Sequence, residues 1–344
     1  MSVPRTGSWP CTTSWASVCS EKRSRGCEEL SNLKVIAPAP HFRSGENTSS
    51  IMLSVVAALI PAVVISFLVF GPRALLLEAV CVVASVFFEY LFRVLMCGRD
   101  NTIWDCSAIV TGLLLAFNLP VGIPLWMAVL GCAVAIIVTK QLFGGIGQNF
   151  ANPAIVGRIF LLVSFGGRMT TWAAPNGYFG VDAVSGATPL AILKNPELGL
   201  KPLPDMLNML LGIRGGSVGE TCIVALLIGG VYLIWKKVIT ATTPVVFLAT
   251  IAVLSLCFGL NPAYELVAGG AVLGAFFMAT DYATSPVTES GKVIFALGCG
   301  IITMLIRAFA SYPEGVSFSI LLMNILTPHI DNLTRKKPFG GVVK

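Results

Sequence analysis

From Val35 onward the chain reads as long apolar runs separated by short polar breaks. The runs cover 51–70, 74–96, 107–119, 123–140, 152–165, 218–235, 242–258, 263–280, 291–309 and 316–330. This pattern predicts ten helical spans, with Asn47-Thr48-Ser49-Ser50 as a cap for the first. Several runs fall short of the roughly 20 residues that cross a bilayer alone. The run 107–119 ends at Asn118-Leu119-Pro120, and 152–165 begins at Asn152-Pro153. Short segments bounded by Gly or Pro predict broken or half-spanning helices that meet in the protein interior.

An internal similarity bears on the architecture. The stretch Ile109–Phe117 resembles Leu266–Phe276, with a two-residue insertion. Each copy is the third span of a five-span half. An odd number of spans per half gives the halves opposite orientation, hence an inverted repeat.

Composition agrees: 55% of residues are hydrophobic and 12% charged, whereas soluble domains average roughly 25% charged. The expected fold is all-α, a polytopic membrane protein of about ten transmembrane helices in two inverted five-helix repeats with broken helices. Residues 1–33 are polar, lack a signal-peptide core and are expected to be a disordered extension. Residues 34–335 form the transmembrane domain, with a long loop at 166–217, and 336–344 form a tail.

The net charge of +6 is spread over loops, which points to topology rather than nucleic-acid binding. With the N-terminus in the cytoplasm, sixteen Lys and Arg fall on the cytoplasmic side and six outside, leaving Arg158 within a span. The positive-inside rule then predicts a multi-pass protein of the inner (cytoplasmic) membrane. Both termini are cytoplasmic and loop 166–217 is extracytoplasmic.

Ten cysteines are present, without a CxxC pair. Cys11, Cys19 and Cys27 match no iron–sulfur or zinc spacing. Cys81, Cys97, Cys132, Cys222, Cys257 and Cys299 lie in or beside apolar runs, so buried free thiols are expected. No metal site is expected.

The candidate chemistry lies in Val181–Leu190, within the long loop. Thr188 offers a hydroxyl, and Gly186 and Ala187 leave the backbone beside it open to a planar group. Thr188 fits the N-cap and Pro189 the first position of a short helix, Pro189–Lys194. A phosphate joined to that hydroxyl would meet free N–H groups. The plainer reading is that Thr188 only caps the helix. Asp182, Ser185, Lys194 and Arg214 are candidates to touch a phosphate or ring. Gly144–Asn149 reads first as a tight interhelical turn and second as a place where a cofactor or partner approaches the backbone.

Glu78, Glu89 and Arg158 lie within spans; Asp105, Glu220, Glu265, Asp281 and Arg307 lie near their ends. Ionisable groups in a membrane are candidates for function because they are costly in lipid. Glu89 and Arg93, four apart, are expected to pair along one helix face.

Over about residues 34–335 the sequence resembles the NqrB/RnfD family, and within it the RnfD proteins of the Rnf complex, an ion-translocating ferredoxin:NAD oxidoreductase. The resemblance rests on Pro40–Ser44, Gly112–Pro120, Lys140–Asn149 with Asn152-Pro153, Ser185-Gly186-Ala187-Thr188, Met278–Asp281 and Tyr312–Val316. The homologous NqrB of the sodium-pumping NADH:quinone reductase shares many of these but is longer. The resemblance implies covalent FMN on Thr188 through a phosphodiester, attached outside the cytoplasm by a flavin transferase, and a second, non-covalent flavin, riboflavin. It also implies partner subunits A, B, C, E and G, which hold the iron–sulfur clusters, and surrounding membrane lipid. The competing reading is an inverted-repeat solute channel or transporter without a redox cofactor.

Overall fold

The computed structural model describes residues 47–96, 103–175, 181–186, 188–194, 205–212, 214–220, 222–310 and 314–335. The expected extension 1–33 and tail 336–344 lie outside the described residues, as do Cys97 and Ala187. Every one of the ten apolar runs carries helix. In the first half these are α1 (Thr48–Phe70), α2 (Pro72–Tyr90), α3 (Ser107–Phe117), α4 (Leu125–Ala133) and α5 (Pro153–Ser164). A π-helical turn, Leu91–Met96, extends α2, and another, Val134–Gln141, extends α4.

The long loop holds α6 (Gly166–Met169), strands β1 (Trp172–Pro175) and β2 (Val181–Gly186), α7 (Pro189–Lys194) and α8 (Met206–Leu211). The second half has α9 (Ile223–Trp235), α10 (Thr242–Cys257), α11 (Pro262–Val267), α12 (Ala271–Leu273), α13 (Glu289–Phe309) and α14 (Val316–Thr334). A π-helical turn, Gly274–Met278, follows α12.

Among the described residues, three helices are long and apolar enough to cross a membrane: Thr48–Phe70, Pro72–Val94 and Glu289–Phe309. Others are shorter. At 1.5 Å per residue, the 11 residues of α3 reach about half of a ~30 Å hydrocarbon core. The run 263–280 is interrupted: Ala268 is extended at φ −78°, ψ 140°, and Gly269 is left-handed at φ +68°.

Helix ends inside a bundle leave carbonyls that need partners. At α3 the side chain of Asn118 donates to the Leu114 carbonyl at 2.6 Å. The Gly219 N–H donates to the Phe117 carbonyl at 3.0 Å and that of Val218 to Leu119 at 3.1 Å. This corrects the predicted run 218–235, which becomes helical only at Ile223. Its first residues stay unwound because their N–H groups complete α3.

Close packing follows from small residues. A Cβ on Gly112 of α3 would lie 2.8 Å from the Cys81 carbonyl oxygen and 2.9 Å from Val82 Cα, so α3 and α2 meet backbone to backbone. The core joins both halves, with Phe117, Leu115, Phe247 and Phe295 buried. Cys81, Cys132, Cys222 and Cys299 are buried free thiols as expected, but Cys257 is exposed on α10.

Two further expectations change. Among the described residues the fold is largely helical, with one antiparallel hairpin: β1 pairs with β2 in the register Trp172 opposite Gly186 and Ala173 opposite Ser185. Asp182, Ser185 and Gly186 therefore belong to a strand rather than an irregular loop. Second, Lys140, counted among the cytoplasmic loop charges, is buried in the π-helical turn after α4, and Arg214 and Arg307 are buried too. Removing Lys140 from the sixteen and the two arginines from the six leaves fifteen against four, so the asymmetry persists.

Candidate functional site

The Thr188 hydroxyl accepts a hydrogen bond from the Ala191 N–H at 3.2 Å, the predicted N-cap of α7. Thr188 is buried. The helix it caps is held down by Leu190, which packs with Met209 of α8 and with Ala268 at the α11–α12 break. The flavin-loop candidate is thus seated on the interrupted helix.

That break is secured by two arginines. Arg307 of α13 donates to the Glu265 carbonyl at 2.6 Å, the Ala268 carbonyl at 3.1 Å and the Glu265 carboxylate at 2.9 Å. Arg214 donates to the Val267 carbonyl at 2.6 Å and the Glu220 carbonyl at 2.7 Å. Burial pulls the Arg214 guanidinium down to about 10, which still leaves it charged at neutral pH. Arg214, read from sequence as a phosphate candidate, is committed to these backbone carbonyls.

Arg158 of α5 forms a second buried hub. It donates to Asn118 Oδ1 at 2.8 Å and Ser317 Oγ at 2.9 Å, and pairs with Glu220 at 3.3 Å and with Glu314. Four separate segments meet on one guanidinium. A cation inside an apolar run signals a partner in the sequence, but not which one.

At the other end of α12 lies a cavity of about 540 Å³, within the usual range of small-molecule sites. Phe276 and Phe277 of the π-helical turn line it, with Val110 and Leu114 of α3 opposite. Its polar lining includes Lys140, Asn149, Asn152, Thr280, Asp281 and Asp331. Asp281 accepts from the Ala283 N–H at 3.5 Å and Thr284 Oγ1 at 3.3 Å. Burial raises its carboxyl above the ordinary range, against these bonds and the charge of Lys140.

Lys140 donates to both oxygens of Glu89, at 3.0 and 2.9 Å, and to Ser107 Oγ at 2.7 Å. Gln141 also donates to Glu89, at 3.1 Å. The glycine loop is the tight turn expected, with Gly144 at φ +120°, Gly145 at +104° and Gly147 at +84°. It also contributes Ile146 and Gly147 to the cavity wall.

A family model described as "NQR2, RnfD, RnfE family" matches residues 35–340. The chain belongs to this family. It is 48% identical over 308 residues to the D subunit of the Na(+)-translocating ferredoxin:NAD(+) oxidoreductase complex of Acetobacterium woodii, covering 89% of this chain and 95% of the relative. To the D subunit of the proton-translocating ferredoxin:NAD(+) oxidoreductase complex of Clostridium ljungdahlii it is 44% identical over 324 residues, covering 90% and 97%. To the D subunit of the ion-translocating oxidoreductase complex of Escherichia coli (strain K12 / DH10B) it is 35% identical over 346 residues, covering 89% and 98%.

Within this NQR2, RnfD, RnfE chain, the helix that Thr188 caps packs at the break of the interrupted helix, whose last turn lines the cavity. Asp182, Ser185 and Gly186 lie in β2, immediately before Thr188. The cavity's polar wall and the Arg158 hub come from residues dozens of positions apart, which no local pattern brings together.

Proposed function

We propose that this chain is the flavin-bearing membrane subunit of an ion-translocating ferredoxin:NAD oxidoreductase. It carries FMN on Thr188 and a second flavin, riboflavin, in the interior cavity, and relays electrons across the membrane. One observation carries the reading: α7 sits on Ala268 at the break, while Phe276 and Phe277 of the same interrupted helix line the cavity. From Ala271, where the helix resumes, to Phe276 the rise is about 8 Å, a small part of a ~30 Å membrane. When bound, a flavin accepts electrons in pairs and passes them on singly.

The chain's own residues supply position. Thr188 offers the hydroxyl for a phosphodiester, and α7 anchors it to the bundle. In the cavity, Phe276 and Phe277 offer flat apolar walls. Asn149, Asn152 and Thr280 offer donors and acceptors for the polar edge of a ring. The lysine opposite Glu89 places a fixed charge pair at the same wall. The plainer reading, in which Thr188 is only a cap, uses the same hydrogen bond and leaves the cavity without a ligand.

Topology and partners belong to the same reading. The ten helical segments form two inverted halves, α1–α5 and α9–α14, with α11 and α12 counted together. Packing supports this: α2 lies against α3 and α4, as α10 lies against α11 and α13. Both termini are cytoplasmic and the Thr188 loop is outside, where a flavin transferase acts. Rnf subunits A, B, C, E and G are the partners and hold the iron–sulfur clusters. The names of the ferredoxin:NAD relatives favour this reading over the quinone-reducing homologue.

The test is peptide mapping of the chain from a complex co-expressed with its flavin transferase, with flavin analysis after denaturation. We expect FMN mass on the peptide containing Thr188 and riboflavin released into solution. Unmodified Thr188 would refute the covalent site; no free flavin from an active complex would refute the cavity assignment.

A further inference from the structure

The buried face of α2 carries Glu78, Cys81, Ser85 and Glu89 in successive turns. It faces α4, whose Cys132 thiol lies 3.5 Å from the Cys81 carbonyl and whose π-helical extension brings Lys140 to Glu89. Three buried polar atoms on this seam have no hydrogen-bond partner among the described residues: Glu78 Oε2, Ser85 Oγ and Thr139 Oγ1. Glu78 is 2% exposed, and Ser85 and Thr139 are fully buried. Such atoms cost free energy unless a proton, water or ion satisfies them.

The geometry at Glu78 indicates which. Ser66 Oγ of α1 lies 2.6 Å from Glu78 Oε1 and 2.8 Å from the Val63 carbonyl oxygen. Ser66 donates to Glu78 Oε1, and Glu78 Oε2 is left with no donor among the described residues. A buried carboxyl oxygen without a donor or counter-charge favours the neutral, protonated acid. Among the described residues, no cation pairs with Glu78. Helices α1 and α3 bring no titratable group. The α4 side brings Cys132 and Lys140, and Lys140 is bound to Glu89. On α2 itself, Arg73 donates to the Val121 and Ile123 carbonyls. Arg93 lies in the turn beyond α2 and Asp105 in the turn before α3.

We propose that Glu78 is a proton-binding site, held as the neutral acid, that exchanges its proton with the interior cavity along the α2–α4 seam. Ser85 and Thr139 are the intermediate hydroxyls, and the Glu89–Lys140–Ser107 cluster is the cavity end. Each transfer breaks one O–H bond and forms one on the next hydroxyl or water, so one proton moves and nothing is oxidised. Only the purpose of the site, proton movement in a translocating complex, rests on the proposed function.

The experiment is infrared spectroscopy of the full chain in its complex, reconstituted in lipid, in H2O and then D2O. We expect a protonated-carboxyl C=O band that is absent in Glu78→Gln, displaced in Glu78→Asp, and shifted by deuterium in the wild type. Ser85→Ala should slow that shift severalfold. A Glu78→Gln spectrum identical to the wild type means Glu78 is ionised and overturns the site. A band that never shifts in D2O overturns the exchange, and a Ser85→Ala variant that exchanges at the wild-type rate overturns the route. None of these readings requires a flavin, so this inference and the flavin assignment fail separately.

Discussion

Arg158 reaches across from α5 to Asn118 at the end of α3, at 2.8 Å. Two short helices of the first half are thereby joined side chain to side chain. The same guanidinium takes Glu220 and Glu314, so the hub holds one cation between two carboxylates. Removing the cation strands both acids.

Arg158→Met should therefore destabilise the chain strongly, by about 3–5 kcal/mol, the cost of leaving a buried charge unpaired. Arg158→Met combined with Glu220→Gln and Glu314→Gln should recover part of the loss. Thermal denaturation of the detergent-solubilised protein reads both. A single variant as stable as the wild type would mean the hub is not a buried ion pair.

Gly112 and Gly122 make a matched pair. A Cβ at Gly112 meets the α2 backbone, whereas one at Gly122 meets nothing within 4 Å. Gly112→Ala should cost about 1–3 kcal/mol through overpacking, and Gly122→Ala should be close to neutral. Equal melting temperatures for the two variants would contradict the close α2–α3 approach.

Thr188→Ala removes both the cap and the proposed site of attachment. Loss of an N-cap costs about 1 kcal/mol, and ultraviolet fluorescence of the band on a denaturing gel should vanish. Thr188→Ser should keep the cap. Ser185 should not take over, because it lies within β2 rather than at the helix cap. Fluorescence that survives in Thr188→Ala would place the flavin elsewhere.

Asp281 gives a pH signature. Burial raises its carboxyl in the folded state, so the native chain binds that proton more tightly than the unfolded one. Its contribution is complete below the unfolded carboxylate range and declines as pH rises through the folded value. Asp281→Asn stays neutral throughout. The melting temperature of the wild type should therefore fall relative to Asp281→Asn between acid and neutral pH. A difference that stays constant with pH would show that Asp281 is not desolvated.

The helices are legible in sequence because apolar runs of membrane length have few alternatives: the run 291–309 is the helix Glu289–Phe309, its start moved only two residues. The Thr188 cap is legible too, since Thr-Pro before a short apolar stretch has a local meaning. Lys140 reads as a loop charge but is not one. Its partner Glu89 lies 51 residues away, and no spacing rule spans that distance. The residues at 218–222 look apolar enough for helix, but N–H groups among them serve the end of α3 instead. The β1–β2 hairpin escapes a reading by pattern because its strands are only four and six residues long.

The arginines at the α11–α12 break have one more consequence. Exposed carbonyls at a broken helix are the kind of ligand set that attracts sodium ions or protons in transporters. Here Arg214 and Arg307 occupy the carbonyls of residues 265, 267 and 268 with permanent positive charge. The break in the second half thus presents positive charge, not open carbonyls, at the point where its helix opens. A cation cannot take those three carbonyls as ligands while the two guanidiniums hold them.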